Sequence, residues 1–189
     1  MNYPNKKNIT LKKEVNYANR GMNLESDINN SNKYYLENDM ALIYKKPTPI
    51  KVVKVDYNKR INTKITEGYY EIPSTTDYNG IYKGKYIDFE AKETKSKTSF
   101  SLNNIHEHQI KHLISIKKHG GISFLIIRFV LLNKTFLFET KYLEEFLNKN
   151  KRKSIPLSFI EKYGYIIDEG YYPRINYLKI IDNLYFEVK

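Results

Sequence analysis

Along this chain the apolar patterns run helix, strand, hairpin, helix, strand, strand, which predicts an α/β protein: a central mixed β-sheet flanked by helices. Three observations carry that expectation. Two β-rich runs flank Lys83-Gly84, a hairpin signal. A helix-period stretch from Asn104 to Lys118 stops at Gly120-Gly121. The longest apolar run, Ile122 to Leu132, then reads as a core strand. At 189 residues the chain is near the usual size of one domain and long enough to bury a core, and no internal repeat divides it.

Residues 1–20 are polar, rich in Lys and Asn and without apolar period, so they read as a flexible basic arm, with the single domain at 21–189. Between Gly21 and Asn38, Leu24, Ile28, Tyr35 and Leu36 recur at helical spacing, and the run Met40 to Tyr44 follows as a strand. From Lys45 to Pro73 the character changes. Pro47 and Pro49 precede an alternating piece at Val52, Val53 and Val55, then come Lys59, Arg60, Lys64 and the pair Tyr69, Tyr70, a pattern suited to a projecting, basic, aromatic excursion. Asn79-Gly80 offers a turn that competes with Lys83-Gly84. After the long core strand, Asn133-Lys134 joins it to a strand at Thr135 to Glu139, and helices at Thr140 to Asn148 and Asn176 to Leu184 close the chain.

Lys and Arg total 32 against 21 Asp and Glu, a net charge of +11, which favours polyanionic partners through Coulomb attraction and counterion release. The same abundance of Lys, Asn, Ile and Tyr is what an AT-rich genome would produce, so charge alone does not assign a function. No apolar stretch approaches the ~20 residues that span a bilayer, so no membrane partner is expected. The chain has no cysteine, which excludes disulfides and thiolate zinc sites. Met1-Asn2-Tyr3-Pro4 followed by Lys6 and Lys7 lacks a signal-peptide apolar segment, so a cytoplasmic protein is expected.

The chemistry gathers on the second hairpin strand. There Tyr86, Asp88, Glu90 and Lys92 alternate with Ile87, Phe89 and Ala91, so one face is charged and the other apolar. A two-residue turn at Lys83-Gly84 sets Asp77 opposite Glu90. Directly opposed residues have Cβ atoms ~4.5–5.5 Å apart, and carboxylates that close repel unless a cation lies between them. A hard, oxygen-seeking ion such as Mg²⁺ suits that pair. Lys92, on the same face, can position or help deprotonate an attacking water and neutralise charge on a reacting phosphate. Together these groups suit phosphodiester hydrolysis, whereas an isolated Glu-x-Lys is more often a solvated strand face.

Gln109 falls on the core-facing stripe of its helix, four residues after Ile105 and four before Leu113. A buried amide needs a partner, either a ligand or neighbouring backbone. His106, His108, His112 and His119 cluster around the same helix; His108 and His112 have i, i+4 spacing but lack the general-base Glu of a metalloprotease motif, and they read as surface or phosphate-adjacent residues. Glu25, in the first helix, is a candidate accessory residue for a second ion or a water, or equally a solvated helix position.

Four segments carry a family resemblance: Asn19-Arg20-Gly21-Met22 with Leu24-Glu25, then Lys45-Lys46-Pro47-Thr48-Pro49, then Ser74 to Lys97, and finally Tyr171 to Tyr185. Together they resemble the RecU family of Holliday junction resolvases over nearly the whole chain after the arm. The run from Thr75-Thr76-Asp77-Tyr78-Asn79-Gly80 to Glu90-Ala91-Lys92-Glu93-Thr94 is the most specific part. The resemblance implies a PD-(D/E)xK, restriction-endonuclease-like core, with Thr76 standing where the superfamily label has Pro. It implies Thr75, Asp77, Glu90 and Gln109 as Mg²⁺ ligands, Lys92 as the transition-state stabiliser, and a stalk at about Lys51 to Pro73. It implies a homodimer acting on four-way junction DNA, with Arg20, Lys59, Arg60, Tyr69 and Tyr70 as candidate DNA contacts. Branch-migration and strand-exchange recombination proteins are candidate partners. The arm departs from the family in being rich in Lys and Asn but poor in Arg. Two other readings differ in substrate: a restriction- or repair-type nuclease acting on linear duplex, and a non-catalytic architectural DNA-binding protein.

Overall fold

A computed structural model describes residues 23–56, 63–70 and 75–186. The first helix, α1 (Leu24–Glu37), begins at Asn23, whose side chain accepts the Ser26 N–H and so satisfies one of the unpaired amides of the first turn. It buries Leu24, Ile28 and Tyr35. The strand expected from Met40 forms as β1 (Leu42–Lys45). A separate two-stranded ribbon, β2 (Ile50–Asp56) with β3 (Lys64–Tyr70), occupies the basic excursion and, among the described residues, pairs only with itself. Its strands are almost wholly exposed.

The hairpin β4 (Tyr78–Tyr82) and β5 (Lys85–Thr94) turns at Lys83-Gly84, both with positive φ. The competing turn at Asn79-Gly80 does not form. Gly80 instead sits inside β4, where an added Cβ would lie 1.9 Å from the Leu42 carbonyl oxygen; its missing side chain lets β1 approach. A short ribbon strand β6 (Ser99–Ser101) leads to α2 (Glu107–Lys118), then to β7 (Ile122–Phe129) and β8 (Lys134–Glu139). The strand expected to run to Leu132 ends at Phe129 in one 3₁₀ turn, and Asn133 takes the left-handed conformation that reverses the chain. The remaining elements are α3 (Thr140–Lys149), β9 (Ser154–Pro156), α4 (Leu157–Tyr163), β10 (Tyr165–Ile166) and α5 (Tyr177–Tyr185).

The six-stranded sheet has the order β1-β4-β5-β7-β8-β10, with β5 and β7 parallel and the other neighbours antiparallel. Alternation divides its side chains between two cores. Ile87, Phe89, Phe124 and Ile126 pack under α1 and α5. Leu125, Ile127, Phe129, Phe136 and Phe138 pack under α2, α3 and α4. Within the first core Phe89 lies stacked between Tyr78 and Phe124, with centroids at 4.9 and 4.8 Å. These residues are also direct register partners across β4, β5 and β7. A slip of one residue would break the stack and turn every charged side chain of β5 to the opposite face.

A buried ion cluster fastens α1 to the far end of the sheet. Arg128 on β7 holds Asp27 at 2.6 Å and Glu169 at 3.0 Å, and Arg174 reaches Asp27 at 3.2 Å. Glu93 at the end of β5 accepts the Leu24 N–H at 2.7 Å, which ties the start of α1 to the strand. Truncating the central ring, Phe89→Ala, is expected to lower the unfolding free energy by about 3–5 kcal/mol, measured by urea denaturation.

Candidate active site

Asp77 lies just before β4, in the register that the hairpin sets, and its backbone N–H donates to Glu90 Oε2 at 3.0 Å. The Asp77 carboxylate turns back towards the same stretch of β5 and meets the Ala91 N–H at 3.4 Å. Glu90 is fully buried, and its other oxygen pairs with the Lys92 ammonium. The structure therefore brings Asp77, Glu90 and Lys92 together as the alternation predicts. They lie beside a cleft of about 220 Å³ lined by Asp77, Ala91 and Lys92 on one side and by Asn23 and Glu25 of the α1 start on the other. Glu25 does belong to this cleft, where Lys45 pairs with its carboxylate.

Burial pushes the Glu90 carboxyl up from 4.5 to about 7; Lys92 opposes the rise and the nearby Asp77 charge adds to it. An uncharged Glu90 would be a poor cation ligand, so a cation that replaces the lost solvation is the natural complement of this pair.

Behind the pair is a second polar knot that the sequence left unassigned. Asp88, fully buried two positions before Glu90, accepts Lys46 Nζ at 2.8 Å and Tyr86 OH at 2.9 Å, and the Thr76 hydroxyl donates to its other oxygen. Lys46 also donates to the hydroxyls of Thr75, at 3.0 Å, and Thr76, at 2.5 Å. The segment leading into Asp77 is thereby tied to both β1 and β5. His112 completes the knot, with Nε2 at 3.2 Å from Asp88 Oδ2. Its side chain is 26% exposed and pairs with this carboxylate, so it is not a free surface residue. Strand alternation pointed to Asp88, but Lys46 and Thr76 reach it only through the pairing of β1 with β4, for which no local pattern exists.

Gln109 is buried on α2 one turn before His112, and its amide oxygen accepts the His106 N–H at 3.0 Å. The neighbouring-backbone partner is thus present, and the oxygen retains a second lone pair. Tyr69 and Tyr70 stand on β3, 61% and 81% exposed, on the ribbon and not in the cleft. Arg20, Lys59 and Arg60 lie outside the described residues. Among the described residues no three His, Asp or Glu side chains cluster to hold a metal, so any ion here would draw on the hydroxyl and amide oxygens as well as the carboxylates.

Two facing carboxylates with a lysine at a cleft belong to a class of site that works on phosphate esters. The chain belongs to the RecU family: the family model Recombination protein U matches residues 19–183. It is 54% identical over 185 residues to the Holliday junction resolvase RecU of Geobacillus kaustophilus, covering 96% of this chain and 92% of that protein. The protein of the same name from Bacillus mycoides is 50% identical over 177 residues, covering 92% and 88%. Among solved structures, Archaeoglobus fulgidus Hjc, a Holliday junction resolvase, aligns with a TM-score of 0.41 at 12% identity, over 75% of this chain and 91% of that one, a likeness too slight to build on.

The raised Glu90 pKa has a sign that can be measured. The folded protein keeps a proton that the unfolded chain releases, so this group's contribution to stability falls as pH rises from about 4.5 to about 7. Glu90→Gln is therefore expected to raise the melting temperature relative to wild type at pH 8 without divalent ions, with the gain shrinking towards pH 5. Thermal unfolding across that pH range reads the difference.

Proposed function

We propose that this chain is a Holliday junction resolvase: an Mg²⁺-dependent endonuclease that acts as a homodimer and places paired symmetric nicks in four-way junction DNA during recombination and repair. The observation that carries the reading is the Asp77, Glu90 and Lys92 group at a cleft, in a chain 54% identical to a protein of that name. Asp77, Glu90, Thr75 and Gln109 offer only hard oxygen atoms, the donor set that Mg²⁺ takes. Thr75 and Gln109 each accept a hydrogen bond already, from Lys46 and His106, and these orient their oxygens while leaving a lone pair.

When bound, the ion supplies Lewis acidity towards a phosphate oxygen and makes water more acidic. Lys92, held by Glu90, orients the attacking water and offsets the negative charge that builds on the phosphate. Asp77 and Glu90 hold the ion, and the Lys46–Asp88 knot keeps the Thr75–Asp77 segment in place. Glu25 is an accessory group across the cleft.

The unit of function is a single nuclease domain over 21–189, with a stalk at about 51–73 and a basic arm before it. The exposed β2–β3 ribbon supports the stalk reading; Lys59, Arg60, Tyr69 and Tyr70 are its proposed DNA contacts, and Arg20 is that of the arm. Dimerisation is supported by the open edge strand β1, where Leu42 and its partner Ile81 are both more than half exposed and Tyr44 continues the patch. Two-fold symmetry would present one site to each of the two equivalent junction strands. No helix among the described residues is long and apolar enough to cross a membrane, and a cytoplasmic enzyme on chromosomal DNA fits that. Branch-migration and strand-exchange proteins are the proposed collaborators.

The test places purified protein, with and without Mg²⁺, on a labelled four-way junction beside linear duplex of matching sequence. Paired symmetric nicks on the junction alone, and only with Mg²⁺, are expected. Asp77→Ala, Glu90→Ala or Lys92→Ala should lower cleavage by about 10²-fold or more while leaving junction binding intact, and Tyr70→Ala should weaken preference for the junction. Equal cutting of linear duplex would instead assign a general nuclease, and binding without cutting an architectural protein.

A further inference from the structure

The β6–β9 ribbon carries a cluster of uncompensated charge. Lys95 and Lys97 lead into β6, Lys151, Arg152 and Lys153 lead into β9, and all five are exposed. Among the described residues, no ion pair engages any of them. Elsewhere lysines do hold carboxylates, as Lys33 does Glu37 and Lys111 does Glu107 on helices, and as Lys134 of β8 does Glu161 of α4. The sequence supplies no local partner either: residues 94–106 and 146–160 contain no Asp or Glu. Like charges held together without counter-charge repel, and a polyanion relieves that repulsion.

The ribbon is held firmly in the fold. Ser99 pairs with Pro156 and Ser101 with Ser154, Leu102 N–H donates to the Lys153 carbonyl at 2.9 Å, and Leu157 N–H donates to the Thr98 carbonyl at 2.8 Å. Phe100 and Ile155 anchor it in the core with Phe129 and Phe136 of β7 and β8. In the sheet order, β7 and β8 lie on one side of β5, while β1 and β4, between which the β2–β3 ribbon springs, lie on the other. The strand bearing Glu90 and Lys92 thus lies between the strands from which the β2–β3 ribbon springs and those on whose side chains the β6–β9 ribbon packs. Lys95 follows Lys92 by three residues along the same chain, within about 10 Å of extended backbone.

We propose that the β6–β9 ribbon is a second DNA-binding surface, which grips the phosphate backbone of a duplex arm on the side of the active site opposite the stalk. This rests on the reading of the chain as a DNA nuclease. Arg152 offers a planar fork matched to phosphate, the lysines offer point charges, and Ser99, Ser101 and Ser154 add hydroxyl donors. Such contacts carry no sequence information. They add affinity for a duplex arm without touching the reacting phosphate.

The experiment compares wild type with a triple variant, Lys151→Ala, Arg152→Ala and Lys153→Ala, by junction and linear-duplex binding in EDTA across a salt series. Single-turnover cleavage at saturating junction in Mg²⁺ is measured alongside. The variant should bind both DNAs about tenfold or more weakly near 150 mM salt, with the log–log salt slope shallower by about 0.9 for each phosphate that the variant no longer neutralises. Its cleavage rate at saturation should stay within about threefold of wild type, since its sites are intact. Lys95→Gln with Lys97→Gln tests the other end of the ribbon and should act in the same direction if the triple variant fails to fold. Unchanged affinity and slope in a folded variant would overturn the proposal. So would an equal drop in affinity on removing three lysines elsewhere, Lys33, Lys134 and Lys162, because bulk charge would then explain the effect. The binding series stands apart from the nuclease reading, which fails if wild type cuts no DNA with any divalent ion.

Discussion

Everything at this site depends on the register of the β4–β5 hairpin, because that register sets Asp77 against Glu90. Two features fix it from opposite ends. Lys83 and Gly84 adopt the positive φ values that close a two-residue turn, and the Tyr78, Phe89 and Phe124 rings stack across three strands on the buried face. The apolar stack and the acidic pair are on opposite faces of the same strands, so one cannot shift without the other. The core thus positions the chemistry, and its packing energy offsets the electrostatic cost of holding two carboxylates close together.

That cost explains the surroundings of the pair. Glu90 is out of water and next to a like charge, and its raised proton affinity measures how strongly the fold disfavours its ionised form. Asp88, equally buried, has Lys46, Thr76, Tyr86 and His112 arranged around its carboxylate as donors. Two neighbouring acids on one strand face are therefore solved differently. One is paired with a lysine from the segment after β1, while the other is paired with Lys92, which itself lines the cleft. One acid is thus held by four side chains, and the other by Lys92 and the Asp77 N–H beside a second carboxylate.

The sequence made some of this legible and hid the rest for physical reasons. Alternation along Tyr86 to Lys92 and the Lys83-Gly84 turn are local signals, so the hairpin, its register and the Asp77, Glu90 and Lys92 group followed from them. The helix around Gln109 and the glycine stop after it were equally local. Long-range pairing left no such trace. Nothing near Lys46 says that it will reach Asp88, and Asn79-Gly80 resembled a turn because the strand packed against Gly80 is remote in sequence. The strands β6 and β9 each have three residues, too short for a period, and β10 and α4 were not anticipated at all. The bare cations beside β6 and β9, some fifty residues apart in sequence, acquired meaning only when the fold paired the two strands.

The most direct measurement of the central claim is divalent-ion binding to the DNA-free protein. Titration calorimetry with Mg²⁺, or electron paramagnetic resonance with Mn²⁺, would be compared for wild type, Asp77→Asn and Asp88→Asn. If the hairpin register builds a cation site from Asp77 and Glu90, wild type binds the ion and Asp77→Asn loses that binding, whereas Asp88→Asn, if folded, largely keeps it. Binding that survives Asp77→Asn, or depends on Asp88 instead, would contradict the account.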